Sequence, residues 1–366
     1  MPAALHIIGL MSGTSMDGVD AVLAQFEGGR PRVVAHAAIS YADALRAECL
    51  ALNLPCDNEL HRAALAGNAV ADLYAEAVAA VLAGSGLRPA EIAALGAHGQ
   101  TIRHRPEAGY TVQIINGARL AEKTGIKTIC DFRSRDIAAG GQGAPLVPAF
   151  HAAVFADPAK SSVILNLGGI ANVTVLKPGG NAVTGFDTGP ANVLIDMWCG
   201  RCTGARFDPD GAFASAGDII PAMLAAMLAE PYFSAPPPKS TGRDLFSPAW
   251  LARFELDAHR PQDVQATLMA LTVATGAQNI HDHAGHADAV LVCGGGALNG
   301  ALMRGLAAAL APARVASTAD LGIDPMSVEA LAFAWLAWRT LHGLPGNLAE
   351  ATGAEGPRVL GAIHAA

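Results

Sequence analysis

The chain opens with short, unbroken apolar runs separated by glycine-rich turns, and later mixes such runs with longer stretches of helical periodicity. Residues 5–10 and 19–24 are apolar and flank the turn-rich residues 11–18, which predicts a strand, a glycine turn and a returning strand. Across residues 61–82 apolar positions recur at helical spacing. Asn68, Asp72 and Glu76 interrupt them, and Gly84-Ser85-Gly86 lets the chain turn out, so an amphipathic helix fits better than a bilayer span. Apolar runs at 92–96, 111–115 and 126–132 predict short buried strands, making the first lobe mixed α/β.

The opening pattern returns at residues 162–167, Gly168-Gly169 and 171–176, which predicts a second hairpin and two related halves. Residues 231–239, with Pro236-Pro237-Pro238, predict an exposed loop bordering a cleft. Helices are expected at 264–279 and Val328–Leu341, with a strand at Ala289–Cys293, a glycine turn at 294–296 and a closing strand at 359–363.

Three of the turns carry candidate chemistry. In the first, Gly13 and Gly18 let backbone amides approach an anion, Thr14 and Ser15 offer hydroxyls, and Asp17 can hold Mg²⁺ through water. No Lys follows these glycines, so the turn is not a Walker A loop; the plain alternative is a polar hairpin turn. The second turn, Asn166 with Gly168 and Gly169, offers the same bare backbone to phosphate. Asp187, in Gly185-Phe186-Asp187-Thr188-Gly189-Pro190, reads as a carboxylate on a tight turn at a helix start: either a general base or an N-cap. In the third, Gly294, Gly295, Gly296 and Asn299 follow a strand and suit a nucleotide's flat face and α-phosphate. Asn299 stands where a dinucleotide fingerprint needs glycine.

Composition narrows the classes. A length of 366 residues favours two domains, and 52% hydrophobic against 15% charged residues favours a globular chain. The net charge of −8, with no Lys/Arg stripe, argues against nucleic acid, and the start shows no export signal. Six irregularly spaced cysteines suit free thiols in a reducing compartment, and a cytoplasmic protein without membrane partners is expected. Cys199 and Cys202 form a CxxC without a second ligand pair, read as free thiols on a helix. His281, His283 and His286 read as a solvated helix-to-strand loop rather than a metal site.

The glycine turns with one aspartate resemble the phosphate and adenosine motifs of the sugar-kinase, actin and heat-shock-chaperone superfamily. Gly13-Thr14-Ser15-Met16-Asp17-Gly18, Ala97-His98-Gly99-Gln100-Thr101, Asp131-Phe132-Arg133, Gly140-Gly141-Gln142-Gly143-Ala144-Pro145-Leu146, Gly185-Phe186-Asp187-Thr188-Gly189-Pro190 and Ser240-Thr241-Gly242-Arg243 narrow the match. In order, over residues 7–338, they resemble the anhydro-N-acetylmuramic acid kinases. The resemblance implies two α/β lobes of actin-like (ribonuclease H-like) ATPase fold with ATP in the cleft between them. The first lobe would be residues 1–133 plus 340–366, with phosphate loop 1 and part of the sugar site; the second would be 134–339, with phosphate loop 2, the catalytic Asp and the adenosine motif. It also implies ATP and Mg²⁺, a small-molecule anhydro sugar, and His98, Gln100, Thr101 and Glu329 near that sugar. A homodimer stands beside a monomer as an open alternative. Without the resemblance, Gln100 is an ordinary turn polar and Glu329 an ordinary first-turn helix acid.

The implied reaction makes N-acetylmuramic acid 6-phosphate in peptidoglycan recycling. A 1,6-anhydro sugar has no free 6-hydroxyl, so the C1–O6 bond must break as O6 is phosphorylated, with water attacking C1. Acetal hydrolysis ordinarily needs two carboxylates. Here the γ-phosphoryl group can receive the leaving oxygen, so one base, Asp187, suffices. The competing classes are a lytic glycosidase, which needs a second carboxylate and no nucleotide, and a non-catalytic actin-like ATPase, which needs no sugar pocket.

Overall fold

A computed structural model describes residues 4–13, 16, 18–178, 183–237, 239–243 and 245–366. The chain forms two compact units, Met1–Val154 with Ser327–Ala366, and Phe155–Met326. These boundaries differ from the expected 133/134 and 339/340: residues 134–154 and the Val328–Leu341 helix pack with the first unit.

In the first unit, β1 (Leu5–Met11) pairs antiparallel with β2 (Gly18–Glu27), as the opening pattern predicted. β2 pairs with β3 (Arg30–Ser40), a strand not anticipated: it is an edge strand that alternates exposed and half-buried positions rather than running apolar. On its other side β1 pairs parallel with β4 (Ile92–Ala97). The run at 100–105 forms β5 (Gln100–Arg105), which pairs with β6 (Tyr110–Ile114) in a separate two-stranded sheet. β6 is therefore not a core strand, and only Ile114 in it is buried. β7 (Thr128–Cys130) joins β4 and is shorter than expected, because Asp131 takes a left-handed φ of 56° and turns the chain. The closing strand falls at Ala362–His364 and pairs antiparallel with β7.

Ile7, Ile8 and Leu10 are fully buried because both faces of β1 are covered. The Glu59–Ser85 helix lies on one face, packing Val70, Tyr74, Ala77 and Val81 into the same core as Ile8, Leu23 and Leu95. It is long and apolar enough to cross a membrane, yet half of its most apolar window is buried, the pattern of a core helix. The Val328–Leu341 helix covers the other face, and two glycines admit it. A Cβ on Gly9 would lie 1.8 Å from the Ala330 carbonyl oxygen, and one on Gly96 would lie 2.1 Å from that of Phe333. Gly9 and Gly96 are partners in register, so together they form a bare patch against which the helix backbone rests.

The second unit repeats the pattern. β8 (Ser162–Leu167) and β9 (Ile170–Leu176) form the second hairpin, and β10 (Val183–Pro190) adds antiparallel to β9. β11 (Ala289–Cys293) pairs parallel with β8, and β12 (Arg314–Ser317) with β11. The orders β3-β2-β1-β4-β7 and β10-β9-β8-β11-β12 are the same arrangement with the same strand directions, that of the ribonuclease H-like fold. One core lies under this sheet, where Leu165, Val173 and Val292 meet Ile280 and Leu306. A second, helical core gathers Trp198, Met227, Phe246, Trp250 and Leu268.

Two further expectations are corrected in this unit, and the reading of the CxxC pair is met. Pro231–Ser234 is a helical turn rather than loop, with proline at a first-turn position where its missing N–H costs nothing. The helix expected at 264–279 runs over Pro261–Ala284, which places His281 and His283 on the helix, where His283 packs edge-on against Phe186. Cys199 and Cys202 lie on the Asn192–Thr203 helix as free thiols, Cys199 buried and Cys202 exposed.

Candidate active site

In the first unit, candidate residues gather at the ends of β1 and β4. His98 follows β4 directly, and its amide donates to the Leu10 carbonyl at 3.0 Å. Its Nδ1 lies 3.1 Å from the Ser12 carbonyl oxygen, while Nε2 receives Arg133 Nε at 3.2 Å and Nη2 at 2.9 Å. A carbonyl only accepts and a guanidinium only donates, so the ring is neutral with its proton on Nδ1. Burial, with the Arg133 charge adding to it, holds the pKa down at about 3.

Gln100 is fully buried, and its amide is spent inside the protein. Its oxygen accepts from the Ser12 hydroxyl and, at 3.1 Å, from the Tyr41 hydroxyl. Its nitrogen donates to the Gly13 and Thr101 carbonyls, both at 3.3 Å. Gln100 thus braces the turn after β1. Thr101, half-buried, accepts from Gln113 across the small sheet at 3.2 Å. Glu329 sits in the first turn of the helix admitted by Gly9 and Gly96. Burial raises its pKa and Asp20 raises it further, while Arg133 opposes both. Thr14, Ser15 and Asp17 lie outside the described residues.

In the second unit, Asp187 lies within β10, paired with Asn172 where the register shifts before Gly189. It is neither at a helix start nor an N-cap: the helix that follows begins at Asn192 and its cap position is Ala191. The proline-rich segment holds Asp187 instead. Its amide donates to the Lys239 carbonyl at 3.1 Å, its carbonyl accepts the Tyr232 hydroxyl at 2.7 Å, and Oδ2 accepts the Thr241 amide at 3.0 Å. Oδ1 has no partner among the described residues, and the Thr241 hydroxyl is buried without one. Burial raises the carboxyl pKa to about 6, against the Thr241 N–H, which lowers it.

The Gly168-Gly169 turn gives its carbonyls to the Asn192–Thr203 helix, accepting from the amides of Ala191, Asn192 and Val193 at 3.0 Å each. The Asn192 side chain also reaches the Leu167 and Gly168 carbonyls, at 2.8 and 2.9 Å. Neither glycine amide donates to a backbone carbonyl among the described residues, and a Cβ on either glycine would meet nothing closer than 3.6 Å. The turn is a cradle fixed through its carbonyls, with its amide donors bare among the described residues. Gly294, at φ +77°, packs on Asn166 and Leu167, and Gly296 on Leu167, so these two glycines are needed for close packing of the two turns. Gly295 is open, its Cβ position 3.8 Å from Asn192. Asn299 uses its side-chain oxygen as an N-cap for the following helix, accepting the Leu302 amide at 3.0 Å.

Residue-by-residue reading gave no role to Arg133, Tyr41, Tyr232 or Thr241. Arg133 and Thr241 stand inside motifs carried by the resemblance, a signal that could have promoted them; Tyr41 and Tyr232 stand in no motif.

Comparison with known proteins adds relatives to this geometry. The family model described as anhydro-N-acetylmuramic acid kinase matches residues 5–366. A protein of that name from Cupriavidus pinatubonensis is 56% identical over 365 residues, covering 98% of this chain and 97% of the relative. Its namesake from Nitrosospira multiformis is 53% identical over 365 residues, covering 99% and 100%. That from Burkholderia cenocepacia is 55% identical over 372 residues, covering 99% and 97%.

Proposed function

The chain belongs to the anhydro-N-acetylmuramic acid kinase family, and from that premise we infer how its own residues open and phosphorylate the anhydro sugar. The protein is a phosphotransferase that uses ATP in the recycling of 1,6-anhydro-N-acetylmuramic acid. The finer reading is that water attacks C1 while O6 passes to the γ-phosphoryl group, giving N-acetylmuramic acid 6-phosphate and ADP, with Asp187 the base that takes the water proton.

The observation that carries this reading is the state of Asp187. One oxygen is tethered by the Thr241 amide, the other is unclaimed among the described residues, and the pKa of about 6 lets the group ionise at neutral pH while remaining a useful base. The buried, unpartnered Thr241 hydroxyl beside it suits a water or a sugar hydroxyl. A single carboxylate is enough because phosphoryl transfer, rather than protonation, captures the leaving oxygen.

The bare amides of Gly168 and Gly169 and the open face of Gly295 fit phosphate and nucleotide, with Gly13 offered by the turn after β1 and Gly18, the first residue of β2, closing that turn hard against the Ile39 carbonyl. Asn166, Gly294, Gly296 and Asn299 shape the second-unit turns around that role. Mg²⁺ would be held by the nucleotide phosphates and, through water, Asp17, and would supply neutralising charge to the transferring group. His98, with both ring nitrogens engaged, serves the sugar by placing Arg133, while Thr101 and Glu329 are assigned to sugar contacts. We place the enzyme in the cytoplasm, with small-molecule partners.

The deciding experiment follows ADP release and sugar opening with ATP alone, anhydro sugar alone, and both. Coupled turnover only with both supports the reading. Ring opening without ATP makes the protein a lytic enzyme, and ATP hydrolysis indifferent to sugar makes it an ATPase of another kind.

A further inference from the structure

Among the described residues, Arg133 is a half-buried cation whose hydrogen-bond acceptors are all neutral. Nε and Nη2 converge on one nitrogen of His98, and Nη1 donates to the Gly143 carbonyl at 2.8 Å. A guanidinium has five N–H donors, so two have no acceptor among the described residues. Among the described residues it forms no ion pair: Glu329 and Asp136 act on it only through space. Burial pulls its pKa down to about 10, and it stays charged at neutral pH.

The surroundings fix this charge in place without neutralising it. Asp136, fully buried, has both oxygens committed elsewhere: Oδ2 to the Gly143 amide at 2.8 Å, and Oδ1 to Asn347 Nδ2 at 2.6 Å and the Thr352 hydroxyl at 2.8 Å. Asp136 thereby locks Gly143, whose carbonyl receives Arg133. Two residues before Arg133, Asp131 holds a left-handed φ of 56°, a strained conformation that re-aims the chain out of β7. A desolvated cation with free donors, braced on one side by a neutral imidazole and on the other by a buried network, is arranged for an anion that arrives from outside.

We propose that Arg133 binds the carboxylate of the sugar acid, and so makes the enzyme prefer a muramic acid over a neutral 1,6-anhydro sugar. The proposal rests on the kinase reading above. Muramic acid carries one carboxylate, on its ether-linked side chain, and the planar fork of an arginine matches two carboxylate oxygens at once. Nucleotide phosphate offers related chemistry, and the test separates the two.

Calorimetry on the full-length enzyme would compare 1,6-anhydro-N-acetylmuramic acid with its methyl ester, in wild type, Arg133→Met and Arg133→Lys. ATP affinity and sugar phosphorylation would be measured in parallel. Wild type should bind the acid about 10- to 100-fold more tightly than the ester. Arg133→Met should bring the two sugars within about threefold of each other, Arg133→Lys should retain part of the preference, and ATP affinity should hold in both. A wild-type enzyme that phosphorylates the acid but binds acid and ester alike overturns the proposal and leaves the kinase reading standing. So does an Arg133→Met variant that keeps the preference, while weakened ATP binding in both variants assigns the arginine to phosphate. A wild-type enzyme that does not phosphorylate the anhydro sugar overturns both.

Discussion

Asp187 shows how one carboxylate can be read by its charge. Its folded pKa of about 6 lies above the ordinary carboxylate value, chiefly because it is buried. The stabilisation associated with the protonated form is therefore complete below the unfolded value and is lost as pH rises through about 6. Asp187→Asn removes this penalty, so the variant should melt no lower than wild type, and its relative stability should increase between about pH 4 and about pH 8. Its kcat should nonetheless fall at least ~100-fold, the contribution of a general base. In wild type, kcat/KM should fall away below about pH 6, and thermal melts with pH–rate profiles check both statements. A variant with most of its turnover would move the base elsewhere, with Glu329 next in line. His98 makes the opposite prediction: with a pKa of about 3 it should stay neutral across the working range. An NMR titration of its ring nitrogens should show a proton on Nδ1 and no inflection between about pH 5 and about pH 8.

At the scale of elements, the apolar runs were legible because burial on both faces leaves no polar alternation to misread. The strands Ser162–Leu167 and Ala289–Cys293 and the helix Val328–Leu341 fall where the pattern placed them. Half-exposed strands were harder. β3 was passed over although Gly28 and Gly29, both at positive φ, form a two-glycine hairpin turn just before it. β10 is hidden in the sequence because Gly185 and Gly189 give it the look of a turn, which is also what makes Asp187 resemble an N-cap. No periodicity could reveal that Tyr232, Lys239 and Thr241 hold Asp187, since those contacts span 45 to 54 residues. Glycine substitutions test the packing. Gly96→Ala must push the Phe333 carbonyl away and should cost about 1–3 kcal/mol or more, whereas Gly84→Ala, in a helix with open space around it, should add about 0.5–1 kcal/mol. Denaturant midpoints of the two variants should therefore move in opposite directions.

At the scale of the molecule, the paired hairpins pointed to two related halves, and the shared strand order bears that out. The chemistry needs a test on the whole enzyme. If water attacks C1, a single turnover in heavy-oxygen water should label the anomeric hydroxyl of the trapped product and leave the phosphoryl group unlabelled; the reverse labelling would sink the mechanism.

The discontinuity of the first unit bears on how the protein is born. The second unit is one uninterrupted stretch, Phe155–Met326, and can close during translation as soon as it has emerged from the ribosome. Residues 1–154 must wait, because the helix that roofs Gly9 and Gly96 is made only after the whole of the second unit. Until then one side of their sheet is a naked apolar surface in a crowded cell. A ribosome that stops between Met326 and Val328 would release a finished second half joined to an unroofed first one, a substrate for chaperones and proteases instead of a slower enzyme.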